Sequence, residues 1–106
     1  MSKGRMLFHS RLKPECVAEY IRYHQAVWPE LLEGYRQAGI TQVSCFLSGV
    51  ELIVYSEIDV EQYQESKAAL SRHPVEVKWQ TLMQTLRDPS FKAGPYAEVF
   101  HMPQGG

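Results

Sequence analysis

Ile40-Thr-Gln-Val-Ser-Cys-Phe-Leu47 and Glu51-Leu-Ile-Val-Tyr-Ser-Glu-Ile58 lie at the centre of this 106-residue chain, with Ser48-Gly49 between them. Both runs are rich in β-branched and apolar residues, a composition that predicts strands. Ser-Gly is a turn signal, so we expect the two strands to form an antiparallel hairpin. The fold is therefore expected to be built around a central pair of neighbouring strands.

One strand and an interrupted helical stretch are expected on the N-terminal side of this hairpin. Residues 5–12 alternate between apolar and polar types, which predicts a strand. Pro14 suits the first position of a helix, and apolar residues then recur at helical spacing as far as Val27. A second helical piece over 29–38 is expected to end at Gly39, a natural residue just beyond a helix.

Two helical segments and a last strand are expected on the C-terminal side. The helical segments cover 60–71 and 75–86, with a His-Pro break at 73–74, and the last strand covers 96–102. The order β-α-β-β-α-β predicts an α+β, ferredoxin-like sandwich of the dimeric α/β-barrel type, with both helical regions on one face of an antiparallel sheet. Neither a linker nor a repeat divides the sequence, so 1–106 is expected to be a single domain.

The composition narrows the partners that the protein can have. Eleven basic and twelve acidic residues are spread along the chain and give a net charge of −1, so no surface for tracking nucleic acid is expected. No apolar run is long enough to span a membrane. Cys16 and Cys45 form no C-x-x-C motif and no secretory signal is evident, which favours the cytoplasm. The bare face of the sheet predicts a homodimer.

Tyr20, His24 and Trp28 are spaced four residues apart, which on one helix would align them on a single face. A histidine at this position could simply cover the edge of the core. However, the aromatic rings suit the apolar side of a sugar, and histidine titrates near neutral pH. We therefore take His24 as the candidate catalytic residue, and Tyr20 and Trp28 as candidate substrate-binding residues.

Other side chains of the sequence have chemical groups that could serve a site. Trp79 follows the His-Pro break and either fills the core or, with Lys78 beside it, walls a pocket. Glu57 and Glu98 are expected to be members of ion pairs rather than catalytic groups. The four histidines lack metal-ligand spacing, and neither a P-loop nor a nucleophile motif occurs. Nothing in the sequence requires a metal or an organic cofactor.

The sequence resembles the L-rhamnose mutarotase family over almost its whole length. The matching residues are Glu19-Tyr20-x-x-x-His24-x-x-x-Trp28-Pro29-Glu30-Leu31, the hairpin up to Glu57, Trp79 followed by Met83, and Glu98-Val99-Phe100. The resemblance implies a dimer that interconverts the α and β anomers of L-rhamnose without a cofactor. It also implies that His24 is the proton donor, that Tyr20 contacts the sugar, and that Trp79 is the second of two sugar-contacting tryptophans.

The sequence departs from the family pattern at two positions. Lys78 stands where the family has the first of the two tryptophans, and Val43 stands where it has a substrate-contacting tyrosine. We expect an aldose mutarotase that opens the sugar ring by acid–base chemistry, with L-rhamnose as first choice and L-fucose or another aldose as alternatives. Glu57, His101 and water are all candidates for the base.

Two competing functions fit the same predicted fold. One is a small oxygen-using or heme-degrading ferredoxin-like dimer, since such proteins carry histidine and tryptophan on similar elements. The other is a sugar- or metabolite-binding dimer without enzymatic activity.

Overall fold

A computed structural model describes residues 2–103 and contains one four-stranded antiparallel sheet in the order β2-β3-β1-β4. Its strands are β1 (Lys3–Arg11), β2 (Ile40–Ser48), β3 (Glu51–Asp59) and β4 (Gly94–Tyr96). The two central runs of the sequence pair as the predicted hairpin, with Ser48 opposite Glu51. This strand order confirms the predicted ferredoxin-like fold.

The helical layer contains a short 3₁₀ turn and four helices. The turn is Pro14–Cys16, and the helices are α1 (Val17–His24), α2 (Pro29–Gln37), α3 (Val60–Arg72) and α4 (Pro74–Leu86). Proline occupies the first helical position of α2 and of α4. At this position a backbone N–H would have no acceptor within the helix, so the missing N–H of proline costs no hydrogen bond. At the start of α4, His73 Nδ1 also accepts a hydrogen bond from the backbone N–H of Val75 at 3.2 Å.

The hydrophobic core lies between the sheet and the helical layer. Its buried members come from both layers: Leu12, Tyr20, Leu31, Leu52, Trp79, Met83 and Leu86. Leu12 and Leu52 are completely buried, which places the sheet side of the core directly beneath the helices. Since alternate residues of a strand point to opposite faces, the remaining strand residues form the second face of the sheet.

The second face carries a network of polar contacts and several exposed apolar residues. Glu51 accepts hydrogen bonds from Arg11 Nε at 2.7 Å and contacts His9 Nε2 at 3.0 Å. Phe46 lies on the same face because it pairs with Ile53, which is opposite His9. Phe46 is 59% exposed, whereas Phe91 packs on the same face against His9 and Arg11, so residues 2–103 cover this face only in part.

Two boundaries differ from those that the sequence predicts. The last strand comprises only Gly94–Tyr96, so the prediction of a strand over 96–102 was wrong. Val99 and Phe100 are 95% and 76% exposed, because the alternating apolar segment has no surface of residues 2–103 to pack against. The helix predicted over 14–27 is also shorter: α1 ends at His24, with Gln25 as its C-cap.

None of the helices between residues 2 and 103 combines the length and the apolar character that a membrane span requires.

Candidate active site

A cleft of about 380 Å³ opens between the helical layer and the β2–β3 hairpin. It is lined by aromatic, aliphatic and a few polar side chains: Tyr20, His24, Val27, Leu31, Leu32, Tyr35, Val43, Cys45, Val54, Trp79, Gln80, Met83 and Arg87. An apolar wall with a small number of polar groups is typical of sites that bind small organic molecules. The cleft is therefore the candidate active site.

His24 lies at the C-terminal end of α1 and is held on three sides. Its ring stacks on Tyr20 with the ring centroids 4.0 Å apart. It packs edge-to-face against Trp79, with the ring centroids 5.3 Å apart. Its Nδ1 lies 2.8 Å from the backbone carbonyl oxygen of Tyr20. A carbonyl can only accept, so Nδ1 carries the proton and donates it. The other nitrogen, Nε2, is left free to exchange a proton with a ligand.

Burial of the His24 ring lowers its pKa below the ordinary histidine value, and the hydrogen bond to the Tyr20 carbonyl opposes that shift only in part. The neutral imidazole is therefore the dominant form at neutral pH. In that form Nε2 has a lone pair directed away from the Nδ1 hydrogen bond. In this orientation Nε2 can accept a hydrogen bond or a proton from a ligand.

Tyr20 forms the inner wall of the cleft and is only 4% exposed. Burial raises the pKa of its phenol far above the ordinary value, and the neighbouring Cys45 thiol adds to the shift. The positive charge of Arg87 acts in the opposite direction on the same phenol. Tyr20 thus remains a neutral hydroxyl, suited to hydrogen bonding rather than to general-base chemistry.

The five residues singled out from the sequence do not all lie in the cleft. Tyr20, His24 and Trp79 line it, whereas Trp28 and Lys78 line a neighbouring hollow of about 430 Å³. Trp28 packs edge-on against Trp79 with the centroids 5.0 Å apart. The Lys78 ammonium lies 5.5 Å from the centre of the Trp28 ring. Both residues therefore support the tryptophan wall from outside the cleft.

The carboxylates considered from the sequence lie away from the cleft. Glu98 accepts a hydrogen bond from Arg5 Nε at 2.8 Å, which confirms the predicted ion pair. Glu57 accepts a hydrogen bond from Tyr55 at 2.9 Å, and Lys3 lies 3.7 Å away. Neither of them lines the cleft, and neither does His101.

Several polar residues of the cleft were not predicted from the sequence. The Tyr35 hydroxyl donates to Glu76 Oε1 at 2.9 Å, and Gln80 Nε2 donates to the same oxygen at 3.3 Å. Glu76 precedes Gln80 by one helical turn, a spacing that could have suggested their contact. Tyr35 and Arg87 carried no such signal, because they reach the cleft only through the packing of separate elements.

Within residues 2–103, the histidine, cysteine, aspartate and glutamate side chains form no cluster of three or more that could hold a metal ion.

The sequence of this chain matches a family of known proteins. The model of the L-rhamnose mutarotase family matches residues 5–102. The L-rhamnose mutarotase of Jannaschia sp. (strain CCS1) is 36% identical over 100 residues, which cover 91% of this chain and 95% of that protein. The L-rhamnose mutarotase of Verminephrobacter eiseniae (strain EF01-2) is 32% identical over 110 residues, covering 96% and 99%.

Solved structures extend the comparison to the fold. The crystal structure of an L-rhamnose mutarotase from Formosa agariphila has a TM-score of 0.72 at 22% identity and covers 94% of this chain and 99% of its own. A cofactor-independent oxygenase from Streptomyces nogalater has a TM-score of 0.62 at 12% identity, covering 98% and 100%. At such identities the likeness concerns the fold alone, which enzymes of different activity share. On the match of sequence over nearly its whole length, this chain belongs to the L-rhamnose mutarotase family.

Proposed function

We propose that this protein is an aldose mutarotase, an isomerase that interconverts the α and β anomers of a 6-deoxy sugar, with L-rhamnose as first choice. The observation that carries the proposal is the arrangement around His24. Its Nδ1 is fixed by the Tyr20 carbonyl at 2.8 Å, and its ring faces an aromatic cleft of about 380 Å³. The names of the relatives support the choice of sugar.

Mutarotation transfers one proton from one oxygen of the sugar to another. A base removes the proton of the anomeric hydroxyl, and that O–H electron pair becomes the second bond of a carbonyl at C1. The bond between C1 and the ring oxygen breaks, its electron pair stays on the ring oxygen, and an acid protonates that oxygen. Rotation about C1–C2 followed by the reverse steps yields the other anomer. Proton transfer by a positioned side chain contributes roughly 10²–10⁴-fold to such a rate.

His24 is suited to carry this proton in both directions. In our proposal the neutral ring accepts the anomeric proton at Nε2, and the resulting imidazolium donates it to the ring oxygen. The lowered pKa of His24 favours the neutral starting form, and the hydrogen bond from Nδ1 keeps the ring in one orientation. A water molecule in the cleft is the alternative base, since Glu57 and His101 lie outside the cleft lining.

Tyr20 and Trp79 are proposed to hold the sugar beside His24. Aromatic rings pack against the C–H face of a sugar, and the neutral Tyr20 hydroxyl can hydrogen-bond to one of its oxygens. Trp28 then acts on the sugar through Trp79, which it contacts edge-on. Val43 lines the cleft at the position where the family has a substrate-contacting tyrosine. Because this change removes a hydroxyl from the cleft, L-fucose is the alternative substrate.

We further propose that the protein works as a homodimer in the cytoplasm. The exposed Phe46 and Tyr96 on the open sheet face, with the exposed Val99 and Phe100 in the C-terminal segment, form the apolar surface that a second copy would cover. The two free cysteines suit a reducing compartment.

Saturation-transfer NMR on a panel of aldoses tests the proposed function. A catalytic amount of the protein should accelerate exchange between the α and β resonances of L-rhamnose, or of L-fucose if Val43 has changed the preference, and leave D-glucose close to its spontaneous rate. A sugar-binding module would broaden the resonances of one sugar without transferring saturation between its anomers. That result, or no effect on any aldose, would contradict the proposal.

A further inference from the structure

Arg87 is a cation of the cleft that the proposed chemistry does not use. It follows the last residue of α4 and is fixed there by a backbone bridge to Leu12 at the end of β1. Its side chain lines both the cleft and a smaller hollow beneath the loop that follows α4. Arg87 therefore lines the candidate active site that Tyr20 also lines.

The guanidinium of Arg87 lacks partners within residues 2–103. Its Nε is buried and has no hydrogen-bond acceptor, and no carboxylate of the described chain lies within 4 Å to form an ion pair. The carbon at the centre of the guanidinium lies 5.9 Å from the centre of the Phe8 ring. No hydrogen bond within residues 2–103 involves its terminal nitrogens, and they are not fully enclosed, so they can donate to a ligand in the cleft.

The Nε of Arg87 is a buried donor without an acceptor, an arrangement that costs free energy unless a ligand or water supplies the acceptor. Arg87 lines the cleft together with Tyr20, and its positive charge opposes the rise in the pKa of the Tyr20 phenol. A neutral sugar offers several hydroxyl oxygens as acceptors, and the fork of N–H groups of arginine can bind two of them at once. A ligand in the cleft would thus supply the missing acceptors.

We propose that Arg87 is a substrate-contacting residue, whose terminal guanidinium nitrogens donate hydrogen bonds to hydroxyl oxygens of the sugar in the cleft. The inference rests on the proposed function and adds to it a specificity residue. His24 and Arg87 then contact different parts of the sugar: His24 acts at the anomeric centre, and Arg87 holds the ring hydroxyls. Loss of Arg87 should weaken binding more than it slows the proton transfer.

The test compares Arg87→Met, Arg87→Lys and the matched surface variant Arg72→Met. Methionine keeps the apolar stem that packs near Phe8 and removes the donors, whereas lysine keeps the charge without the fork. Arg72 lies exposed at the end of α3. For L-rhamnose exchange, Arg87→Met should raise KM roughly tenfold or more with a smaller change in kcat. The KM of Arg87→Lys should lie between those of wild type and Arg87→Met, and the KM and kcat of Arg72→Met should match those of wild type.

Calorimetric titration with 1,5-anhydro-L-rhamnitol separates this inference from the proposed function, because this compound has no anomeric hydroxyl and cannot mutarotate. Arg87→Met should bind it roughly tenfold or more weakly than wild type, while its circular dichroism spectrum stays unchanged. Equal affinity of the two proteins would overturn the assignment of Arg87 and leave the mutarotase proposal intact. Wild type that binds the analogue but exchanges no aldose would overturn the proposed function alone, and wild type that neither binds the analogue nor exchanges any aldose would overturn both.

Discussion

A single hydrogen bond decides which nitrogen of His24 can react. Because Nδ1 donates to the Tyr20 carbonyl 2.8 Å away, only Nε2 can take part in proton transfer. The acceptor belongs to the residue one helical turn earlier, so the backbone of α1 itself orients the ring. Stacking on the Tyr20 ring further limits rotation. The orientation of Nε2 is thus fixed by groups that do not themselves titrate at neutral pH.

The rate of anomer exchange should fall on acidification. Burial lowers the pKa of His24, so the folded protein takes up this proton below the ordinary histidine value of about 6.5. Protonation removes the lone pair on Nε2. We therefore expect kcat/KM to be constant between about pH 6.5 and pH 8 and to fall on acidification, with a midpoint below 6.5. The measurement is exchange NMR from pH 4.5 to 8 with the spontaneous rate subtracted. A rate that rises as the pH falls would contradict a neutral starting histidine.

Protonation of His24 also bears on stability. The unfolded chain takes up the proton near its ordinary pKa, before the folded chain does, so the unfolded state binds more protons over this interval. The free energy of unfolding should therefore decrease as the pH falls from about 6.5 to the lower pKa of the folded state. Urea unfolding at a series of pH values measures this, and His24→Gln should show a smaller decrease across the same interval.

Val43, and not Lys78, should influence the choice of sugar. Val43 lines the cleft, whereas the Lys78 ammonium lies over the outer Trp28 ring in the neighbouring hollow. Val43→Tyr adds a ring and a hydroxyl inside the cleft and should change the ratio of L-rhamnose to L-fucose exchange rates by roughly tenfold, the size of one hydrogen bond. Lys78→Trp serves as the matched change outside the cleft and should leave the ratio within about twofold. If Lys78→Trp changed the ratio and Val43→Tyr did not, the assignment of sugar selectivity to Val43 would be contradicted.

Only those contacts of the candidate site that join residues close together in the sequence could be predicted. Tyr20 and His24 are one turn apart on one helix, and their contact follows from that spacing. Trp28 fitted the same spacing, but α1 ends at His24, and Trp28 reaches the site only by packing against Trp79. Arg87 was not predicted because its place in the cleft depends on how α4 meets β1, which no short pattern encodes.

At the scale of elements, a polar contact beside the cleft joins α2 to α4. The Tyr35 hydroxyl donates to Glu76 Oε1 at 2.9 Å, and burial, with the neighbouring Glu76 carboxylate, raises the pKa of the phenol well above its usual value. The pair lies between two cleft-lining segments, and Gln80 donates to the same carboxylate. The contact therefore fixes the distance between the helices that wall the site.

A double-mutant cycle should detect this contact. A hydrogen bond to a charged group is worth about 1.5–3 kcal/mol, and the pair is only partly buried. We therefore expect Tyr35→Phe and Glu76→Met, each of which removes one partner of the hydrogen bond, to lower the free energy of unfolding by about 1 kcal/mol. The decrease in the free energy of unfolding of the double variant should be smaller than the sum of the two single decreases, by at least about 0.5 kcal/mol. Urea unfolding of the four proteins measures the coupling, and strict additivity would mean that the two side chains do not interact in solution.

The elements themselves were largely predictable, because each is marked by periodicity and by its ends. The hairpin turn at Ser48-Gly49, the proline at the start of α2 and the His-Pro break before α4 are local signals, and all three mark element boundaries in the structure. The last strand was the exception. Residues 96–102 alternate like a strand, but only Tyr96 continues the pairing with β1, and the apolar side chains beyond it lie in the open. Alternation predicts a strand only when a partner surface exists.

At the scale of the whole molecule, the open sheet face should form the interface of a homodimer. An interface that covers it would bury on the order of 1,200–2,000 Å² in total. Phe46→Glu introduces a charge at an exposed apolar site on that face, and Val77→Glu makes the same change on the helical layer, where Val77 is 48% exposed. In sedimentation velocity at micromolar concentration, wild type and Val77→Glu should be dimers and Phe46→Glu should be a monomer. A monomeric wild type would rule out this interface.

The central claim is that His24 transfers the proton that opens the sugar ring, and exchange NMR of L-rhamnose with wild type and His24→Gln tests it most directly. Glutamine fills a similar volume and keeps a hydrogen-bonding amide, but it cannot take up a proton at these pH values. The account predicts that wild type accelerates α–β exchange and that His24→Gln loses roughly 10²-fold or more of kcat, with an unchanged circular dichroism spectrum and retained binding of 1,5-anhydro-L-rhamnitol. Exchange at the wild-type rate in His24→Gln would contradict it.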